Sequence, residues 1–149
     1  MKAVAPDIEF GPLSGWIGVN LRLAQEATFD AFSRHSRDIG EYPGRFAIMM
    51  LIAQNPGISQ TALSAANGRD KSSMTPVLEA LVRRGFVRRQ KLEGDKRTYR
   101  LTLTTAGSDM LAKIVACARK HEQNLDRLIG AKDRDRFLKV LKKISRELR

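Results

Sequence analysis

Residues 70–107 read DKSSMTPVLEALVRRGFVRRQKLEGDKRTYRLTLTTAG, and this stretch decides the fold. A capped amphipathic helix leads into a basic strand, a charged turn at Gly94-Asp95-Lys96-Arg97 and a return strand, and a second helix starts at Thr104. A helix that feeds directly into a basic two-stranded ribbon is the plan of a winged helix. That plan places one element in each groove of a DNA duplex.

The composition indicates an ordinary folded protein. The chain has 149 residues, 42% of them hydrophobic and 29% charged, enough for one sizeable core or two small lobes. Its longest apolar run, residues 46–53, is too short to span a membrane, and no apolar leader opens the sequence. The single cysteine, Cys117, excludes an internal disulfide. We therefore expect a cytoplasmic protein with no membrane association.

The positive charge is unevenly distributed. The whole chain has a net charge of +11, but residues 1–68 have a net charge of −1, with five basic and six acidic residues. Residues 69–100 hold ten basic and four acidic residues, and residues 101–149 hold twelve and six. The dense middle block is typical of a surface that binds nucleic acid. For the final helices, a solvated basic face is the favoured interpretation over a second DNA contact.

The sequence predicts three helices before the one that leads into the basic ribbon. A long helix spans residues 12–38 and is broken at Gly40 and Pro43-Gly44, and a short, strongly apolar helix follows from Phe46. A small helix over residues 60–66 has Ser59 as its N-cap. Asp70 caps the next, and Gly85 ends it. Three short helices followed by a hairpin make a helix-turn-helix with a wing.

Two further apolar stripes point to a partner chain. Gly107, Leu111, Ile114, Ala118, His121, Leu125 and Leu128 recur at heptad spacing, and the last helix, which starts at Asp133, repeats the pattern with Phe137, Leu141, Ile144 and Leu148. The favoured interpretation is a helical dimer interface, with an intramolecular three-helix bundle as the alternative. The predicted dimer contacts are Leu13, Ile17, Leu111, Ile114, Leu125, Leu128, Leu141 and Ile144.

The candidate DNA contacts lie on the helix-turn-helix and on the wing. They are Ser59, Gln60, Arg69, Lys71, Ser72, Ser73, Thr75, Pro76, Arg88, Asp95, Lys96 and Arg97. Lys96 and Arg97 at a turn tip suit the minor groove, and Asp95 can orient Arg97, although an ordinary turn aspartate is the alternative. Pro76 in mid-helix either bends the helix or contacts a thymine methyl group, and the sequence does not decide between them.

Over residues 12–148 the chain resembles the MarR family of bacterial transcription regulators. The most specific pieces are residues 70–87, the Asp95-Lys96-Arg97 wing and the run Leu101-Thr102-Leu103-Thr104-Thr105-Ala106-Gly107. The resemblance implies an obligate homodimer on a pseudo-palindromic operator, with residues 70–84 in the major groove and Arg97, held by Asp95, in the minor groove. It also implies a small ligand or oxidant that alters DNA affinity. Pro76 departs from the basic or polar residue that many relatives carry there.

The expected architecture is mainly α with a small β-hairpin wing. We expect residues 1–42 and 104–149 to form a helical dimerisation lobe and residues 43–103 to form the winged helix-turn-helix. In the family, ligands bind between these lobes. The candidate residues for an anionic aromatic acid or its coenzyme A thioester are Trp16, Asn20, His35, Tyr42, Arg45 and Phe46, with core or dimer contacts as the equal alternative.

The remaining candidates for chemistry are weak. Cys117 is interpreted as a structural thiol rather than a redox switch, and His35 and His121 belong to no cluster with metal-ligand spacing. No nucleophile and base pair stands out, so neither an enzyme nor a cofactor is expected. The sequence therefore predicts a ligand-responsive dimeric repressor that binds double-stranded DNA. A constitutive architectural or protein-interaction module without an effector is the alternative.

Overall fold

A computed structural model describes residues 8–40, 43–92 and 94–148, with only the backbone of residues 92 and 95–97. Its helices are α1 (Ile17–His35), α2 (Pro43–Gln54), α3 (Gln60–Asn67), α4 (Lys71–Arg83), α5 (Thr105–Ile129) and α6 (Ala131–Glu147). Its strands are β1 (Ile58–Ser59), β2 (Val87–Leu92) and β3 (Asp95–Leu103), and short 3-10 turns lie at Gly11–Gly15 and Arg37–Ile39. No helix in these ranges is long and apolar enough to cross a membrane.

Three predicted helix starts are confirmed by their caps. Ser59, Asp70 and Thr104 precede α3, α4 and α5, and each side-chain oxygen accepts the backbone N–H three residues later, at 3.2, 2.8 and 3.0 Å. These bonds satisfy N–H groups that a helix start otherwise leaves unpaired. The start of α2 was predicted wrongly. The predicted break after the first helix is confirmed, but α2 begins at Pro43 rather than at Phe46, because a first turn needs no N–H from proline.

The wing belongs to a three-stranded antiparallel sheet in the order β1-β3-β2, and the two-residue β1 was not predicted. Side chains alternate along β3, since Leu101 is fully buried and Arg100 is exposed. The turn is tighter than predicted. Gly94 occupies it with φ +86°, and the backbone of Lys96 and Arg97 lies in β3, where pairing with β2 shifts register.

One continuous core joins the winged helix to the first half of α5. Its buried members come from α1 to α5, β2 and β3, and they are Phe32, Ile48, Met49, Ile52, Leu63, Met74, Leu78, Leu81, Val87, Leu101, Leu111, Ile114 and Ala118. The short apolar helix α2 contributes three of these residues, Ile48, Met49 and Ile52. The boundary predicted at residue 104 therefore cuts through this core.

The position of Leu111 and Ile114 corrects the predicted dimer seam. Leu111 is 8% exposed and Ile114 fully buried, both within this chain's own core. Gly107 lies at the same contact, where an added Cβ would stand 2.0 Å from the carbonyl oxygen of Phe86. The first half of the α5 stripe thus packs on the winged helix. Heptad spacing revealed an apolar stripe but not its partner.

The second half of α5 and all of α6 are far less covered. Leu128 and Leu148 are 83% and 82% exposed, and α6 contains no buried residue. The corner between the two helices is held by Arg134, whose Nε lies 2.7 Å from the carboxylate of Asp126. Near the start of α1, Ile17 is 72% exposed. Apolar surface is therefore left open at the start of α1, at the end of α5 and along α6.

Candidate DNA-binding surface and effector cleft

A polar crevice connects the helix-turn-helix to the wing. It has a volume of about 240 Å³ and lies between the starts of α3 and α4 and the strand β3. Its lining is Ser59, Gln60, Thr61, Lys71, Thr75, Thr98 and Tyr99. Four of these residues were candidates for DNA contact from the sequence. The fold thus brings the start of α4 and the inner part of the wing to one concave surface.

Hydrogen bonds inside this crevice position the two helices of the motif. The Gln60 Nε2 donates to Thr75 Oγ1 at 2.8 Å, which joins α3 to α4. The Thr75 hydroxyl in turn donates to the Lys71 carbonyl at 2.9 Å. Ser59 caps α3 with its hydroxyl oxygen. These three polar side chains therefore orient the helices, and Lys71, which lines the same crevice, is exposed.

The start of α4 is held by a charged cap. The Ser72 hydroxyl and the Ser73 backbone N–H both donate to the Asp70 carboxylate, and together they lower the pKa of Asp70 to about 2. The Ser73 hydroxyl donates to the Asp70 carbonyl at 3.1 Å. Hydrogen bonding to the ionised form favours it, so Asp70 is a carboxylate at neutral pH. The candidates Ser72 and Ser73 thus stabilise this first turn.

The wing carries cations on both faces. Arg88 and Arg100 are exposed, and the Arg100 Nη1 donates to the Gly57 carbonyl at 3.0 Å. On the other face, Arg89 and Lys91 lie over the ring of Tyr99, at 5.2 and 5.6 Å from its centroid. The Nε and Nη2 atoms of Arg89 are buried with no hydrogen-bond partner within the described ranges.

Sequence reasoning missed several of these groups. Arg89, Lys91, Tyr99 and Arg100 were not candidates, although they belong to the same basic strands as Arg88. The alternation along β2 and β3 was the available signal, because it separates the residues of the two faces. Thr61 and Thr98 carried no such signal.

The remaining DNA candidates differ in how far the structure describes them. Arg69 is half-buried and its guanidinium lies against Gly44, where an added Cβ would be 2.8 Å from Nη2. Pro76 is exposed in the second turn of α4, and the helix continues through it. The side chains of Asp95, Lys96 and Arg97 lie outside the described part of the structure. Their contacts with DNA stay predictions.

A larger, mostly apolar cleft lies where α1, α2 and α5 meet. Its volume is about 690 Å³, within the range of small-molecule sites in proteins. Its lining is Thr28, Phe29, Phe32, Pro43, Phe46, Val115, Ala118, Arg119, His121, Glu122, Gln123, Leu125 and Asp126. Because α2 is also the first helix of the winged-helix region, the cleft lies at its junction with the long helices.

Aromatic rings form the wall of this cleft. The rings of Phe32 and Phe46 stack with their centroids 5.9 Å apart, and His121 meets Phe32 edge-on at 5.7 Å. Among the described lining residues Arg119 is the one cation, and it is exposed. The cleft therefore combines an aromatic interior with a charged rim.

The structure brings one of the six predicted effector residues, Phe46, to this cleft. Asn20 and Trp16 lie outside it. The Asn20 amide donates to the carbonyls of Ser14 and Trp16, so it secures the start of α1.

His35 and Arg45 also lie outside the cleft, and Tyr42 falls outside the described residues. His35 lines a smaller adjoining pocket together with Cys117, which is half-buried. Phe29, Phe32 and His121 were missed as cleft residues, because their meeting depends on long-range packing. No cluster of metal-ligating side chains occurs in the described ranges.

These features define a winged helix-turn-helix DNA-binding protein. The MarR family model matches residues 42–99. A transcriptional regulatory protein assigned to the hcr operon of Thauera aromatica is 31% identical over 142 residues, which cover 95% of this chain and 86% of that protein. The chain belongs to the MarR family and is a transcriptional regulator.

Two solved structures of the transcriptional repressor CouR are similar over almost the whole chain. CouR bound to a 23-mer DNA duplex superposes with a TM-score of 0.85 at 31% identity, covering 93% of this chain and 99% of CouR. CouR bound to p-coumaroyl-CoA gives a TM-score of 0.86 at 30% identity, covering 95% and 99%. The two CouR structures therefore show that protein with DNA in one case and with p-coumaroyl-CoA in the other.

Proposed function

We propose that this protein is a homodimeric repressor that releases a pseudo-palindromic operator when a small aromatic acid or its coenzyme A thioester occupies the α1–α2–α5 cleft. The observation that carries the proposal is the cleft itself. It has an aromatic interior and a volume of about 690 Å³, and one of its walls is the first helix of the winged helix. A ligand that binds there contacts the long helices and the DNA-binding region together.

Uncovered apolar surface supports the dimer. Leu128 and Leu148 are exposed by more than four-fifths, and Ile17 and Trp16 by 72% and 60%. A helix without a buried residue, such as α6, gains little from packing within one chain. A second copy related by two-fold symmetry offers the matching surface. Of the predicted dimer contacts, Leu13, Ile17, Leu125, Leu128, Leu141 and Ile144 stay available for this role.

The basic block and the crevice support operator binding. Residues 69–100 carry ten basic and four acidic residues, and the exposed Lys71 lies at the start of α4. Cations on the wing and at the start of α4 favour phosphate contacts. In a dimer, two α4 helices about 34 Å apart would meet successive major grooves of a pseudo-palindrome.

A bound ligand weakens operator binding by changing the distance between the two α4 helices of the dimer. A ligand shifts an equilibrium only by its different affinities for two states. The cleft is lined by α1 and α5 on one side and by Pro43 and Phe46 of α2 on the other. An acyl group wedged between them favours a dimer in which the half-site spacing no longer matches one turn of DNA.

The test measures binding to the promoter next to the protein's own gene, by fluorescence anisotropy with and without p-coumaroyl-CoA and free aromatic acids. We expect tight binding that at least one of these ligands weakens. Thr28→Trp fills the cleft and should keep DNA affinity while losing the ligand response. Gln25→Trp, exposed one turn earlier on α1, is the matched control. Binding that no ligand changes would favour the constitutive module instead.

A further inference from the structure

His121 is the polar group most deeply set in the cleft wall. The residue is 7% exposed, lines the cleft, and is enclosed by the edge-on ring of Phe32. Its Nδ1 is buried and has no hydrogen-bond partner in the described ranges. Buried polar atoms are nearly always hydrogen-bonded, and a ligand in the cleft that turns the His121 ring toward it would give this nitrogen the partner it lacks.

We propose that His121 is a specificity-determining residue for the effector, and that its Nδ1 forms a hydrogen bond with an uncharged hydroxyl group on the aromatic end of an acyl ligand. This inference rests on the proposed function, because it assigns the chemistry of the ligand in the same cleft. It adds which end of the ligand is buried and which group on that end is recognised.

The protonation state of the His121 imidazole favours an uncharged hydrogen-bond partner. Burial lowers the pKa of His121, and the neighbouring His35 lowers it further, while Glu122 opposes both. At neutral pH the imidazole therefore carries one donor nitrogen and one acceptor nitrogen. A hydroxyl group can donate or accept, so it matches Nδ1 in either tautomer, whereas a carboxylate can only accept.

The charges around the cleft also favour an uncharged group in its interior. Glu122 and Asp126 line it along with Arg119, and the Asp126 carboxylate is already paired with Arg134 at 2.7 Å. A free carboxylate in the interior would lie among aromatic rings with no buried cation in the described lining. Arg119 also lines the adjoining pocket with Lys120, so two cations stand where an anionic tail would leave the cleft. We therefore expect the acidic part of the ligand at this rim.

The decisive comparison uses two thioesters that differ by one hydroxyl group. Calorimetry measures the dissociation constants of p-coumaroyl-CoA and of cinnamoyl-CoA for the full-length native protein and for each variant. The native protein should bind the hydroxylated thioester about tenfold more tightly, the scale of one well-placed hydrogen bond. His121→Phe should bind both about equally, and His121→Asn, which returns a polar atom near the place of Nδ1, should recover part of the preference.

His35→Phe is the matched control for the same substitution on an exposed ring. The His35 Nδ1 already lies 2.7 Å from the Ala31 carbonyl oxygen, so this variant should keep the full preference. Thermal unfolding and operator binding of each variant check that it is folded. An equal preference in the native protein and in His121→Phe would overturn the role of His121.

A direct observation is available because the chain has two histidines. In protein labelled with ¹⁵N-histidine, p-coumaroyl-CoA should shift the Nδ1 resonance of His121 and leave that of His35 in place, and cinnamoyl-CoA should shift neither to the same extent. Binding of both thioesters without this difference would contradict the inference alone. Binding of neither thioester to the native protein would overturn the inference and also the thioester class of the proposed function.

Discussion

The two halves of the long helix α5 carry the same apolar spacing and use it differently. In the first half, Leu111 and Ile114 are buried in a core shared with the winged helix. At the far end, Leu128 is 83% exposed, and α6, which follows it, has no buried residue. One half of this helix therefore lies in the core of this chain, and the other half stays largely outside it. The comparison separates residues that hold the monomer from residues that are open to the proposed second copy.

The largest effect is expected where α5 enters the winged helix. In Gly107→Ala the new Cβ would stand 2.0 Å from the Phe86 carbonyl oxygen, so either the helix or the α4–β2 turn must move. Overpacking of this kind should lower the free energy of unfolding by about 3 kcal/mol. Urea denaturation followed by circular dichroism measures it. Ala106→Ser, at the exposed neighbouring position, should stay within about 0.5 kcal/mol of the native protein.

The second largest effect is expected at the exposed end of α5 and at the end of α6. Replacing both Leu128 and Leu148 by Asp should raise the dimer dissociation constant at least about a hundredfold, or about 3 kcal/mol, by placing charges in an apolar interface. Because neither side chain is buried in this chain, the monomer should stay folded. Sedimentation velocity and circular dichroism measure the two outcomes separately.

Lys142→Asp, an exposed change on α6, is the control for added negative charge and should leave the dimer intact. A double variant that sediments as a native-like dimer would refute the role of this end. Leu111→Asp cannot serve the same test, because a carboxylate in the monomer core would unfold the chain itself.

Short-range features were predictable from the sequence because their physics is local. The caps Ser59, Asp70 and Thr104 act over three residues, and the alternation around Leu101 acts along one strand. The capped helix and the basic hairpin that follows it predicted the wing and its place after α4, and the family resemblance agreed with that prediction. The two-residue β1 escaped because it is too short to alternate, and it exists only through its pairing with β3.

Long-range features were not predictable in the same way. The cleft gathers Phe32 from α1, Phe46 from α2 and His121 from α5, residues separated by up to 89 positions along the chain. Their spacing along single helices reveals only that each lies on an apolar face. For the same reason the stripe of α5 could not indicate which half faces the chain's own core.

A smaller effect concerns the wing, whose DNA contacts stay predictions. Arg97→Ala should weaken operator binding, because it removes one cation that contacts the phosphates or the minor groove. The slope of log affinity against log salt concentration should fall in magnitude by about one. Titrations at several salt concentrations measure the slope. Arg146→Ala removes a cation on α6 that is paired with Glu147 at 2.8 Å, and its slope should match that of the native protein. Equal slopes for both variants would remove Arg97 from the contact surface.

The smallest effect is expected at the N-cap of α4. The Ser72 hydroxyl is the main cause that holds the pKa of Asp70 at about 2, so Ser72→Ala should raise that pKa towards its usual 3.8. A depressed carboxylate pKa stabilises the fold above the unfolded-state pKa, and this contribution is lost as the pH falls through the folded-state pKa. The stability difference between the native protein and Ser72→Ala should therefore be full above about pH 4 and vanish towards pH 2. Carboxyl ¹³C NMR follows Asp70 directly, with Ser108→Ala as the control at an exposed serine, and an unchanged Asp70 titration in Ser72→Ala would assign the shift to the Ser73 N–H instead.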